Sequence, residues 1–350
     1  FGEIEFTESA KQGKISTKWV LASLPVSEET VIAVDIGTTT IAAVKIQAGK
    51  VIAEASCFNP QTKFGDNVLT RIHAARKNLK ALQDCLLGAL TQLFAELGLN
   101  SVSRIALAGN STMTCLLHGI DPAPLGQMPF TLPMQFFPLR QDLFGAIPLY
   151  TVPCIAAHIG GDITAGLNEC VLQKNEMLVD IGTNCEIVFN TGSDFFCCSA
   201  AAGPALEGAG IKHGKVATKG AITHFQDLNN YSTVDNSEAD GICASGIIDF
   251  LALAYDAGKI SSFGRLKPKA RFYEINEKVK IYESDIEKIL QAKAAVFAGI
   301  STLENHLCQK AEKIYLAGTL AEAMNIKNAI KIKMLPERNY QAIGNSSLAG

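Results

Sequence analysis

The 350-residue sequence is short of the features that assign a chain quickly. No apolar run reaches about 18 residues before Asp, Lys, Asn or Gly cuts it, so no spanning helix and no membrane partner are expected. Charge of one sign is missing as well. Thirty-one Lys and Arg against 34 Asp and Glu leave −3, with no extended basic block. That argues against nucleic acid, because phosphate neutralisation needs a concentrated positive face. The opening Phe1-Gly2-Glu3-Ile4-Glu5 has neither a basic n-region nor a hydrophobic h-region. No export signal is read there, and the sequence looks like a domain cut from a longer protein. Few charges (19%) beside 48% apolar residues exclude a disordered chain and leave room for a large core.

Ligand spacing is also absent. Ten cysteines occur, yet no two form C-x-x-C, so neither a zinc ribbon nor an iron–sulfur cluster is read in this chain. Most lie in apolar stretches, such as Ile242-Cys243-Ala244, where a thiol packs as a small hydrophobe. Cys197 and Cys198 fall on one expected strand and would face opposite sides of its sheet. A reduced, cytoplasmic protein is the natural expectation. There is no G-x-x-x-x-G-K-[ST], and no G-x-G-x-x-G opens a helix after a strand, which removes the P-loop and dinucleotide-binding classes.

What is present is a repeated strand pattern. After a polar segment, 1–30, expected as a linker or extension, Val31–Asp35 reads as a strand ending at Ile36-Gly37-Thr38-Thr39-Thr40. Ile41–Ile46 and Val51–Ala55 complete a meander. Leu79, Leu82, Leu86, Leu90, Leu93 and Leu97 predict a helix over 79–97, and Arg104–Ala108 the next strand. The same order returns 145 residues later. Met177–Asp180 runs into Ile181-Gly182-Thr183-Asn184, followed by strands at 186–190 and 195–199. A third strand, Lys313–Ala317, runs into Gly318-Thr319. A single duplication at this period predicts two homologous lobes, 31–165 and 166–350, rather than a solenoid.

In each Asp-Ile-Gly-Thr turn the glycine admits close approach of a ligand, while amides and Thr hydroxyls can form a nest for phosphate oxygens. Asp35 and Asp180, each ending a strand, supply the hard oxygens that Mg²⁺ prefers, through a bound water. One such turn alone is weak evidence, since Asp-Gly turns are common. Two copies in matching positions make a polyphosphate site the better reading. Expected phosphate contacts are Gly37, Thr38, Thr39 and Thr40, with Gly182, Thr183 and Asn184. Gly208 and Gly210 would let the backbone approach a nucleotide, or merely make a turn. Ser245 and Gly246 open a helical pattern placed to lie against adenosine.

This arrangement resembles the superfamily of acetate and sugar kinases, seventy-kilodalton heat-shock chaperones and actin. The resemblance implies a duplicated ribonuclease-H-like α/β fold, with two lobes around an interlobe nucleotide cleft that holds ATP. It assigns Leu316-Ala317-Gly318-Thr319 to the adenosine motif. It also implies a connecting helix at 159–166, where Asp162 would sit near the phosphates as a catalytic residue with Asp35 and Asp180; alternatively, Asp162 only caps that helix.

Finer motifs narrow the resemblance. They are Asn59-Pro60-Gln61, Phe64-Gly65-Asp66, Thr70-Arg71-Ile72, Gly109-Asn110-Ser111-Thr112-Met113, Ala201-Ala202-Gly203-Pro204-Ala205-Leu206-Glu207-Gly208, Gly241–Gly246 and Gly344–Gly350. Together they look like the ATPase part of the reductive activators of corrinoid proteins, over about residues 31–350. Such an activator uses ATP to help return inactive Co(II) corrinoid to Co(I) for methyl transfer. The implied partners are a corrinoid protein and an electron donor, either an excised ferredoxin domain or a separate ferredoxin; a homodimer stays open. Two departures stand out: no four-cysteine ferredoxin set precedes Cys57, and Cys185 replaces the family's usual glycine after Asn184. Rival readings are a sugar or carboxylate kinase, with Asp162 as base, and a non-catalytic actin-like switch.

Overall fold

The structure, a computed structural model, describes residues 14–15 and 28–350. The expected N-terminal extension therefore lies outside the described residues, apart from Lys14–Ile15 and positions 28–30. The chain divides into two compact units. One holds Phe1–Lys174, Val188–Cys198 and Asn345–Gly350; the other holds Asn175–Ile187 and Ser199–Gly344.

In the first unit, β1 (Thr30–Ile36), β2 (Thr40–Gln47) and β3 (Lys50–Phe58) form the antiparallel meander. β4 (Val102–Gly109) joins β1 in parallel and β5 (Leu149–Thr151) joins β4, giving the order β3-β2-β1-β4-β5. Alternation drives this: Ile32, Val34 and Ile36 point into the core, with Ile41 and Ala43 of β2. Helix α1 (Val68–Leu97) lays Leu82, Leu86, Leu90, Leu93 and Phe94 into the same core.

α1 begins eleven residues before the leucine repeat does. Asn67 caps it, with Thr70 answering in a capping box, and Asn78 breaks the helical geometry just before Leu79. The earlier turns are polar outside and bury Arg71, which an apolar period cannot reveal. After β4 come α2 (Ser111–Leu117), capped by Asn110, and the proline-rich stretch between Pro122 and Pro138. α3 (Gly161–Cys170) then starts against the end of β4. A Cβ on Gly160 would lie 2.4 Å from both the Asn110 Cα and the Gly109 oxygen, so this start tolerates no side chain. The boundary expected between 165 and 166 falls inside α3. The terminal helix Ser346–Ala349 packs on α3 so closely that a Cβ on Gly350 would meet the Ala165 carbonyl.

The second sheet repeats the order. β6 (Glu176–Ile181), β7 (Cys185–Asn190) and β8 (Phe195–Ala200) are followed, after a long insertion, by β14 (Lys313–Ala317) and β15 (Asn339–Gly344), in the order β8-β7-β6-β14-β15, with the two-residue strand Lys14–Ile15 added antiparallel to the outer side of β8. The insertion holds β9 (Ala221–Asp227), β10 (Asn230–Thr233), β11 (Gly241–Ile242), α4 (Ala244–Asp256), the pair β12 (Phe272–Glu274) and β13 (Lys280–Tyr282), and α5 (Glu283–Leu307). β14 and β15 are parallel to β6 and to each other. Two sheets with one strand order make the duplicated ribonuclease-H-like fold. Among the described residues, no helix is long and apolar enough to cross a membrane.

Candidate functional site

The first Asp-Ile-Gly-Thr turn is tight. Gly37 N–H donates to the Thr40 carbonyl at 2.9 Å, and a Cβ on Gly37 would lie 2.6 Å from that oxygen. Parallel pairing sets Asp35 opposite Ala108 and Ile36 opposite Gly109, so Asn110 follows directly beside the turn. Three buried side chains then fix it. Asn59 Nδ2 donates to the Gly37 carbonyl at 2.9 Å, and Asn110 Nδ2 to Thr38 Oγ1 at 3.0 Å. Arg71 Nη2 donates to the Thr38 carbonyl at 2.6 Å, while its Nε reaches the Gly65 carbonyl at 2.9 Å and Nη1 the Met113 sulfur at 3.2 Å. Thr38 is buried within this scaffold, Thr39 is half-buried and Thr40 is exposed.

Asp35 is engaged from another direction. Asn345 Nδ2 donates to Oδ2 and Ser347 Oγ to Oδ1, both at 3.0 Å. Burial raises the Asp35 pKa, and these two donors pull it partly back. Both carboxylate oxygens thus already carry one hydrogen bond each, leaving the remaining lone pairs for water. Asp162 sits in the first turn of α3 and accepts the Ile163 N–H at 2.8 Å. Its Oδ1 lies 2.7 Å from the Cβ position of Gly160, beside the Gly109–Asn110 junction. Asp35, the Thr38 turn and the start of α3 therefore share the ends of β1 and β4.

The second turn is tighter than the first. Gly182 N–H closes on the Asn184 carbonyl at 2.9 Å, one residue sooner than in the first hairpin. The Thr183 N–H, expected in a phosphate nest, instead donates to Glu207 Oε1 at 2.8 Å. The Thr183 carbonyl accepts from Gly203 N–H at 2.8 Å. Thr183 Oγ1 and Glu207 Oε2 are both buried without a hydrogen-bond partner. Cys185, where a glycine was expected, is completely buried.

β14 pairs Ala317 with Asp180, which sets Gly318 against the end of β6. Gly318 has φ +94°, and a Cβ there would fall 2.5 Å from the Ile181 oxygen and 3.1 Å from Asp180 Oδ1. Asp180, Gly182, Thr183 and Gly318 are thus grouped at the carboxyl ends of the central strands β6 and β14, with Thr319 opening the next helix. Gly208, with φ +80°, ends the short helix Pro204–Glu207 and backs onto Lys215, whereas Gly210 is exposed. Ser245 and Gly246 open α4, which packs against the Pro204–Glu207 and Thr319–Ala323 helices. Ser245 Oγ donates to the Thr223 carbonyl at 2.9 Å, and a Cβ on Gly246 would be 2.7 Å from the Ile222 oxygen. Both hold α4 on β9.

The family profile described as the C-terminal domain of RACo, the ASKHA domain, matches residues 174–350. That of the RACo middle region matches 30–175. The chain belongs to the RACo family. Similar proteins include the corrinoid activation enzyme RamQ of Eubacterium limosum, 28% identical over 374 aligned positions, covering 91% of this chain and 63% of that protein. The [Co(II) methylated amine-specific corrinoid protein] reductase of Methanosarcina barkeri is 26% identical over 303 positions, covering 73% and 56%. A solved structure named as a reductive activator for corrinoid,iron-sulfur protein superposes with TM-score 0.82 at 32% identity, covering 92% of this chain and 59% of that one. This chain therefore spans only about three-fifths of the length of these relatives.

In this RACo-family chain the expected phosphate residues rest on residues outside the expected set. Asn59, Arg71 and Asn110 hold the first turn, Asn345 and Ser347 hold Asp35, and Glu207 holds the second turn. Each lies in one of the distinctive sequence motifs. Their spacing of tens to hundreds of residues gave no local sign of a shared contact.

Proposed function

We propose that this chain is the ATP-binding and ATP-hydrolysing part of a reductive activator of corrinoid proteins. The supporting observation is the 0.82 TM-score, at 32% identity, to a reductive activator for a corrinoid iron–sulfur protein. Each of the two turns, at the end of β1 in one unit and at the end of β6 in the other, has the form of a phosphate contact. In that reading Asp35, Asp162 and Asp180 are the catalytic acids, and Thr38, Thr39, Thr40, Gly182 and Asn184 approach phosphate oxygens. Gly208, Gly210, Gly318 and Thr319 provide close backbone approach to adenosine, with Ser245 and Gly246 supporting from behind.

The donor chemistry suits Mg²⁺ in each unit taken by itself: Asp35 offers a hard strand-end oxygen in one, and Asp180 does so in the other, where the buried Thr183 hydroxyl has no hydrogen-bond partner. When bound it would compensate the polyphosphate charge. The chain's residues do the positioning: the Arg71 scaffold keeps the first turn rigid, and Asn345 with Ser347 orients the Asp35 carboxylate.

Energetics explain why ATP is needed. Reducing Co(II) corrinoid is uphill for cellular donors, and each factor of ten in the equilibrium takes about 59 mV for one electron. ATP donates no electrons. A nucleotide can favour the form of the protein that binds Co(II) corrinoid in an easily reduced state. The electrons would come from a ferredoxin domain or a separate ferredoxin, in a reducing cytoplasm where the cysteines remain thiols. The test is anaerobic titration of a Co(II) corrinoid protein with ATP, ADP and no nucleotide. Linkage predicts that nucleotide and partner change each other's affinity by one factor, about 5–150-fold. Equal affinity in all three states contradicts the reading.

A further inference from the structure

We infer that Glu207 is the residue that positions and deprotonates the water attacking the γ-phosphate. The inference rests on the ATPase reading above and assigns its general base.

The placement of Glu207 is built, not incidental. Gly203 has φ +81° and starts the Pro204–Glu207 turn; Gly208 has φ +80° and ends it. Gly203 N–H ties this segment to the Thr183 carbonyl, and Thr183 N–H returns a hydrogen bond to Glu207 Oε1. One side-chain oxygen is therefore fixed by the second phosphate turn itself. A Cβ on Gly182 would come within 3.2 Å of that same oxygen, so the glycine admits the carboxylate as well as a ligand.

The other oxygen is the informative one. Oε2 is buried and accepts nothing, and beside this contact Thr183 Oγ1 is buried and unbonded in a residue only 5% exposed. Leaving such groups unsatisfied is costly, and more so for a charged one. A phosphate oxygen cannot satisfy a carboxylate, since both are anionic acceptors. A group with hydrogens to donate must stand between them. A water there would donate one hydrogen to Oε2 and aim its lone pair at phosphorus. Thr183 Oγ1 can donate to a phosphate oxygen alongside.

In the step this implies, the water oxygen bonds to the γ-phosphorus as the bond to the β,γ-bridging oxygen breaks. The water's proton passes to Oε2. ADP and inorganic phosphate leave, and the proton returns to solvent.

The experiment uses the full chain with MgATP and a non-hydrolysable β,γ-imido analogue. Glu207→Gln keeps the acceptor for Thr183 N–H but removes the base. Calorimetry should give analogue affinity within about threefold of wild type, while single-turnover hydrolysis falls about 10²–10⁴-fold, the usual worth of a general base. Glu207→Asp, with a base withdrawn by one methylene, should fall between them. Hydrolysis by Glu207→Gln within a few-fold of wild type overturns the assignment alone. So does loss of analogue affinity in step with turnover, because Glu207 would then be a ligand or a prop for the turn. No hydrolysis by the wild-type chain, with corrinoid partner or without, overturns the ATPase reading and this role with it.

Discussion

The Arg71 guanidinium, completely buried in α1, donates a 2.6 Å hydrogen bond to the Thr38 carbonyl in the first Asp-Ile-Gly-Thr turn. Among the described residues it forms no ion pair; its other acceptors are the Gly65 carbonyl, the Gln61 side chain and the Met113 sulfur. Burial lowers its pKa to about 10, with Asp66 opposing, so it remains a cation at neutral pH. A buried cation that no ion pair neutralises is costly, and its field favours an anion bound at the turn it supports.

Replacing Arg71 should therefore damage stability and nucleotide binding together. Arg71→Met leaves the Thr38 and Gly65 carbonyls without that donor, at about 1–3 kcal/mol each. Arg71→Lys keeps the charge but loses the forked geometry, so it should recover ATP affinity only in part. Urea denaturation and calorimetric ATP titration read the two effects. An unchanged denaturation midpoint in Arg71→Met contradicts the scaffold role.

Asp35 gives a pH signature. Burial raises its folded pKa above the ordinary 3.8, partly opposed by Asn345 and Ser347. A carboxyl of this kind favours the folded state when protonated, and that contribution is lost as pH rises from 3.8 through the folded pKa. Asp35→Asn, which cannot ionise, should gain in stability relative to wild type over that interval. The variant should match or exceed wild type at neutral pH, with the difference closing in acid, while ATP affinity falls. Paired denaturation curves between pH 3 and 8 check the sign. A relative loss on going to neutral pH contradicts it.

The second turn should carry the chemistry more directly. Asp180→Ala should leave the fold intact, because Asp180 ends β6 and is only half-buried, yet remove most MgATP turnover. The expected loss is at least about 10²-fold, the scale seen when one charge-stabilising group is removed. Circular dichroism verifies folding beside the activity measurement. Unchanged hydrolysis in a folded variant refutes the assignment.

Thiol reactivity separates structural cysteines from accessible ones. Burial pushes the Cys115 and Cys154 thiols up to about 12, so almost no thiolate exists at neutral pH. Cys308 is exposed beyond the end of α5. Iodoacetamide at neutral pH should label Cys308 first and spare Cys115 and Cys154 until the protein unfolds, as mass spectrometry of the peptides will show. Early labelling of Cys154 contradicts the packing.

Local patterns carried most of the fold. Compact apolar runs ending in Asp, at Val31–Asp35 and Met177–Asp180, each followed by Ile-Gly-Thr, disclosed both meanders and the duplication. The first third of α1 was hidden because its buried face combines Arg71 with only Ile72 and Ala75, too little for an apolar period to show. Asp35 and Asp180 were visible because each ends a strand at a glycine turn. Their supports were not. Asn345 and Ser347 reach Asp35 across about 310 residues, and Glu207 reaches Thr183 across 24, through packing that no single window displays. The Thr183 amide illustrates the limit: a turn sequence offers a donor, while the fold decides which acceptor receives it.

The activity proposed for this chain is ATP-dependent return of corrinoid cobalt from Co(II) to Co(I). The most direct measurement mixes this chain anaerobically with a Co(II) corrinoid protein and a low-potential electron donor, following the visible and EPR spectra of cobalt. With ATP, Co(I) should form faster or further than with ADP or no nucleotide, and Asp180→Ala should abolish the difference. Co(I) formation that is the same with ATP, with ADP and with neither would contradict the account.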